Sequence, residues 1–331
     1  MIKKPSDSAM GTVFHKAAQV ASLAFAGNFR NFPEEPPLMP AESFVEVAGK
    51  RYHYLLWPGV GEPLFLLNGL NSNAWVWGRV GGGLSTLGPV VAVTLPGHGL
   101  SDPPDEGYST LAMARALLPV ILALNEEVGG GGKFSLCGHS FGGKIAASIA
   151  PMLGERLRTL VLADPVLPQG LNRLVKAVPA IPTAIFSLER GPFADREAME
   201  KSLKNIIYLK EWGEIERRVV DHSFYQDETG AWKPYLPDEA FKEILFRSLM
   251  ENSTDGIQGL QCPVLLARPN FTVSFLPFEL MQLRRAWPAF EEARIAGDHD
   301  FIVTNPIDTV ALLEGFIRKH SAHQETNAPE A

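Results

Sequence analysis

Cysteine is scarce. Two residues in 331, Cys137 and Cys262, are too few for a disulfide framework and lack the clustered Cys/His spacing of a zinc site. No apolar run reaches about 18 residues, so no segment reads as a membrane-spanning helix. Basic residues are in deficit: 30 Lys and Arg against 37 Asp and Glu leave a formal charge of −7. A nucleic-acid binder needs a basic stripe to neutralise phosphates, and this balance argues against one. There is no phosphate-cradling G-x-x-x-x-G-K-[ST]; Gly81-Gly82-Gly83 is a loop signal only, and no dinucleotide fingerprint follows a strand. Internal repeats and low-complexity segments are also missing.

What remains is ordinary globular material. Hydrophobic residues make up 46% and charged residues 20%, enough for one large domain or two modest ones. At the N-terminus, Lys3 and Lys4 precede a mildly apolar stretch, Val13 to Ala26, that resembles a signal peptide. His15, Lys16 and Gln19 interrupt it, so the preferred expectation is a surface helix or arm, followed by an extended linker at Pro33–Pro37.

From Ser43 the pattern becomes one of strands. Ser43–Val47 and Arg51–Trp57 flank a hairpin turn at Ala48-Gly49-Lys50. Leu64–Leu67, Val90–Val93, Phe134–Cys137, Leu160–Ala163 and Val264–Ala267 are short, continuously apolar runs, as strands buried on both faces require. Helical patterns alternate with them over Thr110–Leu124, Gly142–Leu153, Pro277–Trp287 and Pro306–Lys319. The fold class is therefore α/β, a mostly parallel sheet with helices on both faces. Between Pro165 and Gly259 the alternation stops. Met199, Leu203, Ile206 and Ile207 recur at helical spacing, which predicts a mainly helical insertion over the C-terminal edge of the sheet.

The strongest chemical signal is Gly138-His139-Ser140-Phe141-Gly142, a G-x-S-x-G between an apolar strand and a helical pattern. Its glycines allow a sharp turn, and the serine sits at a helix N-terminus that favours negative charge. With this motif the chain resembles the α/β-hydrolase family, in the branch with a helical cap after the sixth strand. Leu66-Leu67-Asn68-Gly69-Leu70 resembles the family's oxyanion loop. Leu95-Pro96-Gly97-His98-Gly99-Leu100-Ser101-Asp102 resembles the loop after its fourth strand.

The resemblance covers roughly residues 43 to 320 and implies a domain plan. Residues 1–42 form an arm and linker, 43–165 and 260–320 the core, 166–259 the cap, and 321–331 a tail. It also implies Ser140 as nucleophile and His299, between the last strand and last helix, as general base. The backbone N–H groups of Leu70 and Phe141 would form the oxyanion hole. Asn68 stands where the family usually has histidine, either holding the loop or pointing its amide into the site. The acid departs from the common pattern. The loop after the seventh strand offers Thr272 at about the acid position, and no carboxylate. Some members carry the acid one strand earlier, where this chain has Asp164, preserving the order Ser140, Asp164, His299. His98 and His139 sit at positions that are structural in the family, and His53 and His222 are read as surface residues.

Trp75, Trp77 and Phe271, with Asn68, are expected to contact substrate in an apolar pocket to which Leu171–Phe186 and Phe275 add. The activity implied is hydrolysis of a small to medium apolar carboxylic ester through an acyl-enzyme, without cofactor or metal. Carbon–carbon, lactone or amide hydrolysis, perhydrolysis and acyl transfer use the same residues, and a silent ligand-binding protein shares the fold. The partner expected is a small molecule, with neither nucleic acid nor membrane, in the cytoplasm or secreted; oligomeric state is unknown. An epoxide hydrolase or dehalogenase would need aspartate at the elbow, where Ser140 stands.

Overall fold

The computed structural model describes residues 31–33, 37–167, 190–203, 213–252, 257–270, 272 and 277–322. Among the described residues there are ten strands: β1 (Ala41–Val47), β2 (Lys50–Trp57), β3 (Leu64–Leu67), β4 (Val90–Val93), β5 (Phe134–His139), β6 (Leu157–Ala163), β7 (Phe224–Gln226), β8 (Trp232–Pro234), β9 (Val264–Pro269) and β10 (Glu291–Ile295). The principal helices are α1 (Thr110–Gly129), α2 (Phe141–Leu153), α3 (Arg196–Leu203), α4 (Glu214–Asp221), α5 (Asp238–Met250), α6 (Pro277–Ala286) and α7 (Pro306–Ala322).

Eight strands form one sheet in the order β1-β2-β4-β3-β5-β6-β9-β10. The β1–β2 and β2–β4 pairs are antiparallel, and from β4 to β10 every pair is parallel. The α/β class expected from the alternating pattern is what is found. β1 begins two residues earlier than its sequence pattern suggested, and its hairpin turns at Ala48 and Gly49, both at positive φ (53° and 75°), as a two-residue turn matched to strand twist requires.

β3, β4, β5 and β9 are buried at every position. Their side chains alternate between two cores, one on each face, because successive residues of a strand point opposite ways. Phe65, Leu67, Val91, Val93, Leu160 and Leu162 meet α1 and α2 in one core. Leu64, Leu66, Val90, Ala92, Val161 and Ala163 enter the other, with Trp57, Trp75, Trp77 and the apolar side of α7. This two-sided burial is why these strands read as unbroken apolar runs rather than as alternating ones.

Between β6 and β9, α3, α4 and α5 follow the helical expectation, with one difference. β7 and β8 pair as a small antiparallel hairpin, which the mainly helical expectation did not include. Its strands are three residues long, with Phe224 buried and the other five residues partly or fully exposed, so they leave no apolar run to read. The hairpin turns because the Asp227 carboxylate accepts from the Thr229 and Ala231 backbone N–H groups and Gly230 takes φ 87°. Phe193, Met199, Leu203, Val220 and Phe224 form a separate small core here. Polar contacts fasten this region to the sheet: Arg79 pairs bidentately with Glu216, and Asn73 Nδ2 donates to Val219 O at 2.8 Å and Ser223 Oγ at 2.9 Å. Among the described residues no helix is long and apolar enough to cross a membrane. The expected N-terminal arm up to residue 30, Leu171–Phe186 and the tail from 323 lie outside the described residues.

Candidate active site

The site begins where β5 ends. Ser140 adopts φ 55°, ψ −119°, and α2 starts at the next residue. A non-glycine at positive φ is strained, and the surrounding backbone holds it. Ser140 N donates to Ala163 O at 2.9 Å, and Ser140 O accepts from Val166 N and Lys144 N, each at 3.2 Å. The flanking glycines are there for closeness. A Cβ on Gly138 would lie 2.2 Å from Gly142 O, and one on Gly142 would lie 2.4 Å from Asn68 O. Any side chain at either position would push the turn off the sheet.

Three strand ends then converge. His299 follows β10, and its Nε2 lies 2.9 Å from Ser140 Oγ. Its Nδ1 lies 2.6 Å from Asp164 Oδ2. Asp164 is the first residue beyond β6, fully buried, at φ 41°, with its N–H donating to Ala267 O of β9 at 2.8 Å. The threonine at the usual acid position joins the same group: Thr272 Oγ donates to Asp164 Oδ1 at 2.7 Å and Oδ2 at 2.9 Å. Serine, imidazole and carboxylate thus stand in hydrogen-bond sequence, with a hydroxyl behind the carboxylate.

Electrostatics favour a basic imidazole. Burial disfavours the charged form of His299, but hydrogen-bonded Asp164 outweighs it, and Asp300 and Asp298 add to the pull. The net direction is upward from the ordinary histidine value. His139 has the opposite fate. Burial drives it down to about 3, so it is neutral, and its Nε2 donates to the His299 carbonyl at 2.7 Å. That bond fixes the loop carrying the catalytic-type imidazole. Burial pushes the Asp300 carboxyl up to about 6.

A cavity of about 100 Å³ opens on Ser140 and His299, with Gly69, Leu70, Ser72, Val76, Ile302 and Val303 among its walls. Among the described residues, no carbonyl accepts from the backbone N–H of Leu70 or Phe141. Both are orphan donors, and Phe141 is the first residue of α2, where helix N–H groups have no internal partner. Such an arrangement can polarise and attack a carbonyl carbon, with a base poised for the serine proton.

The expected substrate contacts fare differently. Asn68 is fully buried and its amide is spent on backbone: Nδ2 donates to Gly69 O and Ser72 O at 2.8 and 3.0 Å, and Oδ1 accepts from Leu95 N at 3.0 Å. It holds the loop and does not reach into the cavity. Trp75 and Trp77 are core residues, 2% and 0% exposed, because their 3₁₀ turn folds inward against Trp57 and α7. Phe271 lies outside the described residues. His53 is another correction, since it is fully buried rather than a surface residue. Ser72 was missed. The residue lines the cavity, and its hydroxyl is buried with no hydrogen-bond partner among the described residues. Nothing in the sequence singles it out except its position three residues beyond Gly69.

Comparison with known proteins follows this geometry. A model described as "Alpha/beta hydrolase family" matches residues 64–312. The N-formylmaleamate deformylase of Pseudomonas putida is 35% identical over 122 residues, 37% of this chain and 44% of that protein. Esterase Rv0045c of Mycobacterium tuberculosis is 37% identical over 120 residues, 36% of this chain and 38% of that protein. The matches therefore span less than half the length of these relatives. Among solved structures, E-2-(acetamidomethylene)succinate hydrolase superposes with a TM-score of 0.69 at 22% identity, over 84% of this chain and 99% of that one. That likeness is one of fold.

Proposed function

Since this chain belongs to the alpha/beta hydrolase family, an enzyme family with esterase and deformylase relatives, we propose that it is a serine hydrolase. Its substrate is a small to medium, apolar carboxylic ester. The observation that carries the reading is the continuous contact Ser140–His299–Asp164, at 2.9 and 2.6 Å. Ser140 Oγ attacks the ester carbonyl as His299 Nε2 takes its proton. Asp164 holds the imidazole by Nδ1 and stabilises its positive charge. The N–H groups of Leu70 and Phe141 receive the oxyanion, each contributing roughly 3 kcal/mol in the transition state. The imidazolium then protonates the leaving alkoxide. Water, deprotonated by His299, attacks the acyl-enzyme and releases the acid.

Leu70, Val76, Ile302 and Val303 on the cavity wall favour an apolar acyl or alcohol group. In this reading the region inserted between β6 and β9 is a cap. Asp164 supplies the charge that Thr272 does not, which favours turnover over a silent binding protein. Amide hydrolysis is the second reading, favoured by the deformylase relative: the same acyl-enzyme forms, with an amine leaving.

The test is labelling of the folded protein with a fluorophosphonate, the modified residue being read by mass spectrometry. Stoichiometric label on Ser140, lost in His299→Ala, is expected; an unlabelled Ser140 in folded protein would remove the nucleophile. Initial rates on matched p-nitrophenyl esters and N-formyl amides then separate the two readings.

A further inference from the structure

Away from the cavity, two imidazoles and a carboxylate converge. Glu42 stands on the edge strand β1, His53 on β2, and His222 just beyond the end of α4. One oxygen, Glu42 Oε1, lies 3.0 Å from His53 Nε2 and 2.6 Å from His222 Nε2. Both ring nitrogens that face away are held. His222 Nδ1 lies 2.7 Å from Arg218 O. A carbonyl only accepts, so that nitrogen carries a hydrogen and Nε2 is the atom offered to Glu42. His53 Nδ1 lies 2.8 Å from Thr94 Oγ. A hydroxyl donates or accepts, so this bond survives either tautomer of His53 and leaves its Nε2 able to give up its proton.

The geometry points to a divalent transition-metal site: we propose that Glu42 Oε1, His53 Nε2 and His222 Nε2 bind Zn²⁺ or a like ion. Two imidazoles with one carboxylate are a donor set such metals take, with a fourth position left for water. The outer partners Thr94 Oγ and Arg218 O orient the rings as second-sphere groups do. The three atoms lie within 4.8 Å of one another. Metal–ligand bonds of about 2.0–2.1 Å separate ligand atoms by about 3.3 Å, so the Glu42–His222 approach opens by several tenths of an ångström. Glu42 has room for this, its side chain being 28% exposed on an edge strand, and the His222 side chain is 12% exposed.

The site has a structural consequence. Glu42 and His53 belong to the β1–β2 hairpin, whereas His222 belongs to the region inserted between β6 and β9. An ion here ties α4 to the edge of the sheet.

The experiment titrates the full-length protein with Co²⁺, read by its visible absorption, and then with Zn²⁺ in competition. One Co²⁺ per chain with tetrahedral-type absorption, displaced by Zn²⁺, is expected. Affinity falls by about tenfold or more in both Glu42→Gln and His222→Gln, which keep near-native shape at partly exposed positions. On Zn²⁺ addition, amide hydrogen exchange slows in residues 41–57 and 214–222 of the wild type and not of the variants. Absence of saturable binding by folded protein overturns the proposal. So does binding that is unchanged in both variants, which would place the ion elsewhere, for example at His299. Neither residue touches Ser140, His299 or Asp164, so ester turnover by the metal-free variants distinguishes failure here from failure of the hydrolase reading.

Discussion

The loops that leave β6 and β9 make an instructive pair. The two strands are neighbours, and Ala163, the last residue of β6, pairs with Ala267, two residues before β9 ends. Each loop sends one side chain to the same point behind the imidazole. From the first comes a buried carboxylate, Asp164; from the second comes a hydroxyl, Thr272, which donates to that carboxylate. The charge beside His299 is thus a requirement on a place rather than on a strand. Adjacent strand ends offer two routes to that place, and here the routes carry acid and donor in place of acid alone. The carboxylate reaches it from φ 41°, a strained backbone held by the Asp164 N–H bond to β9.

The comparison breaks most sharply at Asp164. Asp164→Asn preserves shape and the contact to Nδ1 while removing the charge and favouring the wrong imidazole tautomer. We expect kcat to fall by about 10³–10⁴-fold with little change in KM, in initial-rate measurements on a p-nitrophenyl ester. A loss below about tenfold would mean that the charge comes from elsewhere. The next step exchanges the routes. Asp164→Asn with Thr272→Asp returns a carboxylate from the β9 side and is expected to recover about tenfold or more over the single variant. No recovery would show that the β9 loop reaches Asp164 but not the imidazole.

A third measurement reads the charge directly. In the proposed mechanism His299 must be neutral to accept the Ser140 proton, and Asp164 raises its pKa. Activity is therefore lost as pH falls through a value above the roughly 6.5 of a free imidazole. In Asp164→Asn the residual activity should show that limb moved to lower pH, because burial, which lowers the pKa, then acts without the carboxylate. A limb that stays in place would belong to another group, such as Asp300, held near 6 by burial.

The same pair of loops shows what the sequence can express. The strands were legible because burial on both faces leaves unbroken apolar runs. Ser140 was legible because its turn needs glycines at two fixed offsets. The position of Asp164 was legible from strand order, but its bond to Thr272 was not, since residues 108 apart in the chain share no local pattern. Trp75, Trp77 and Asn68 misled for one reason. Nearness to a motif in the chain says nothing of which way a side chain turns, and here all three turn into packed or hydrogen-bonded interior. Ser72 escaped notice for the converse reason: a lone loop serine carries no pattern, and only its place beside the cavity and its buried, unpartnered hydroxyl mark it. The β7–β8 hairpin is too short to alternate visibly, and buried His53 meets Glu42, Phe44 and His222, which only the hairpin register and the inserted region bring near.

The smallest expected effect is the most specific. Thr272→Val keeps the volume and removes one hydroxyl. If the donor merely fills space, kinetics should stay within error. If it shares the carboxylate's charge with the imidazole, its loss leaves Asp164 pulling harder on His299. The imidazolium is then stabilised further, and the acidic limb of kcat/KM moves to higher pH. Loss of the same bond loosens Asp164, so kcat at the plateau should drop a few-fold, on the order of one hydrogen bond to a charged group shared between ground and transition states. The two effects separate in one pH–rate profile, since the limb reports charge and the plateau reports position. A limb displaced downward would reverse the assignment, making Thr272 a group that strengthens the pull of Asp164 on His299 rather than one that tempers it.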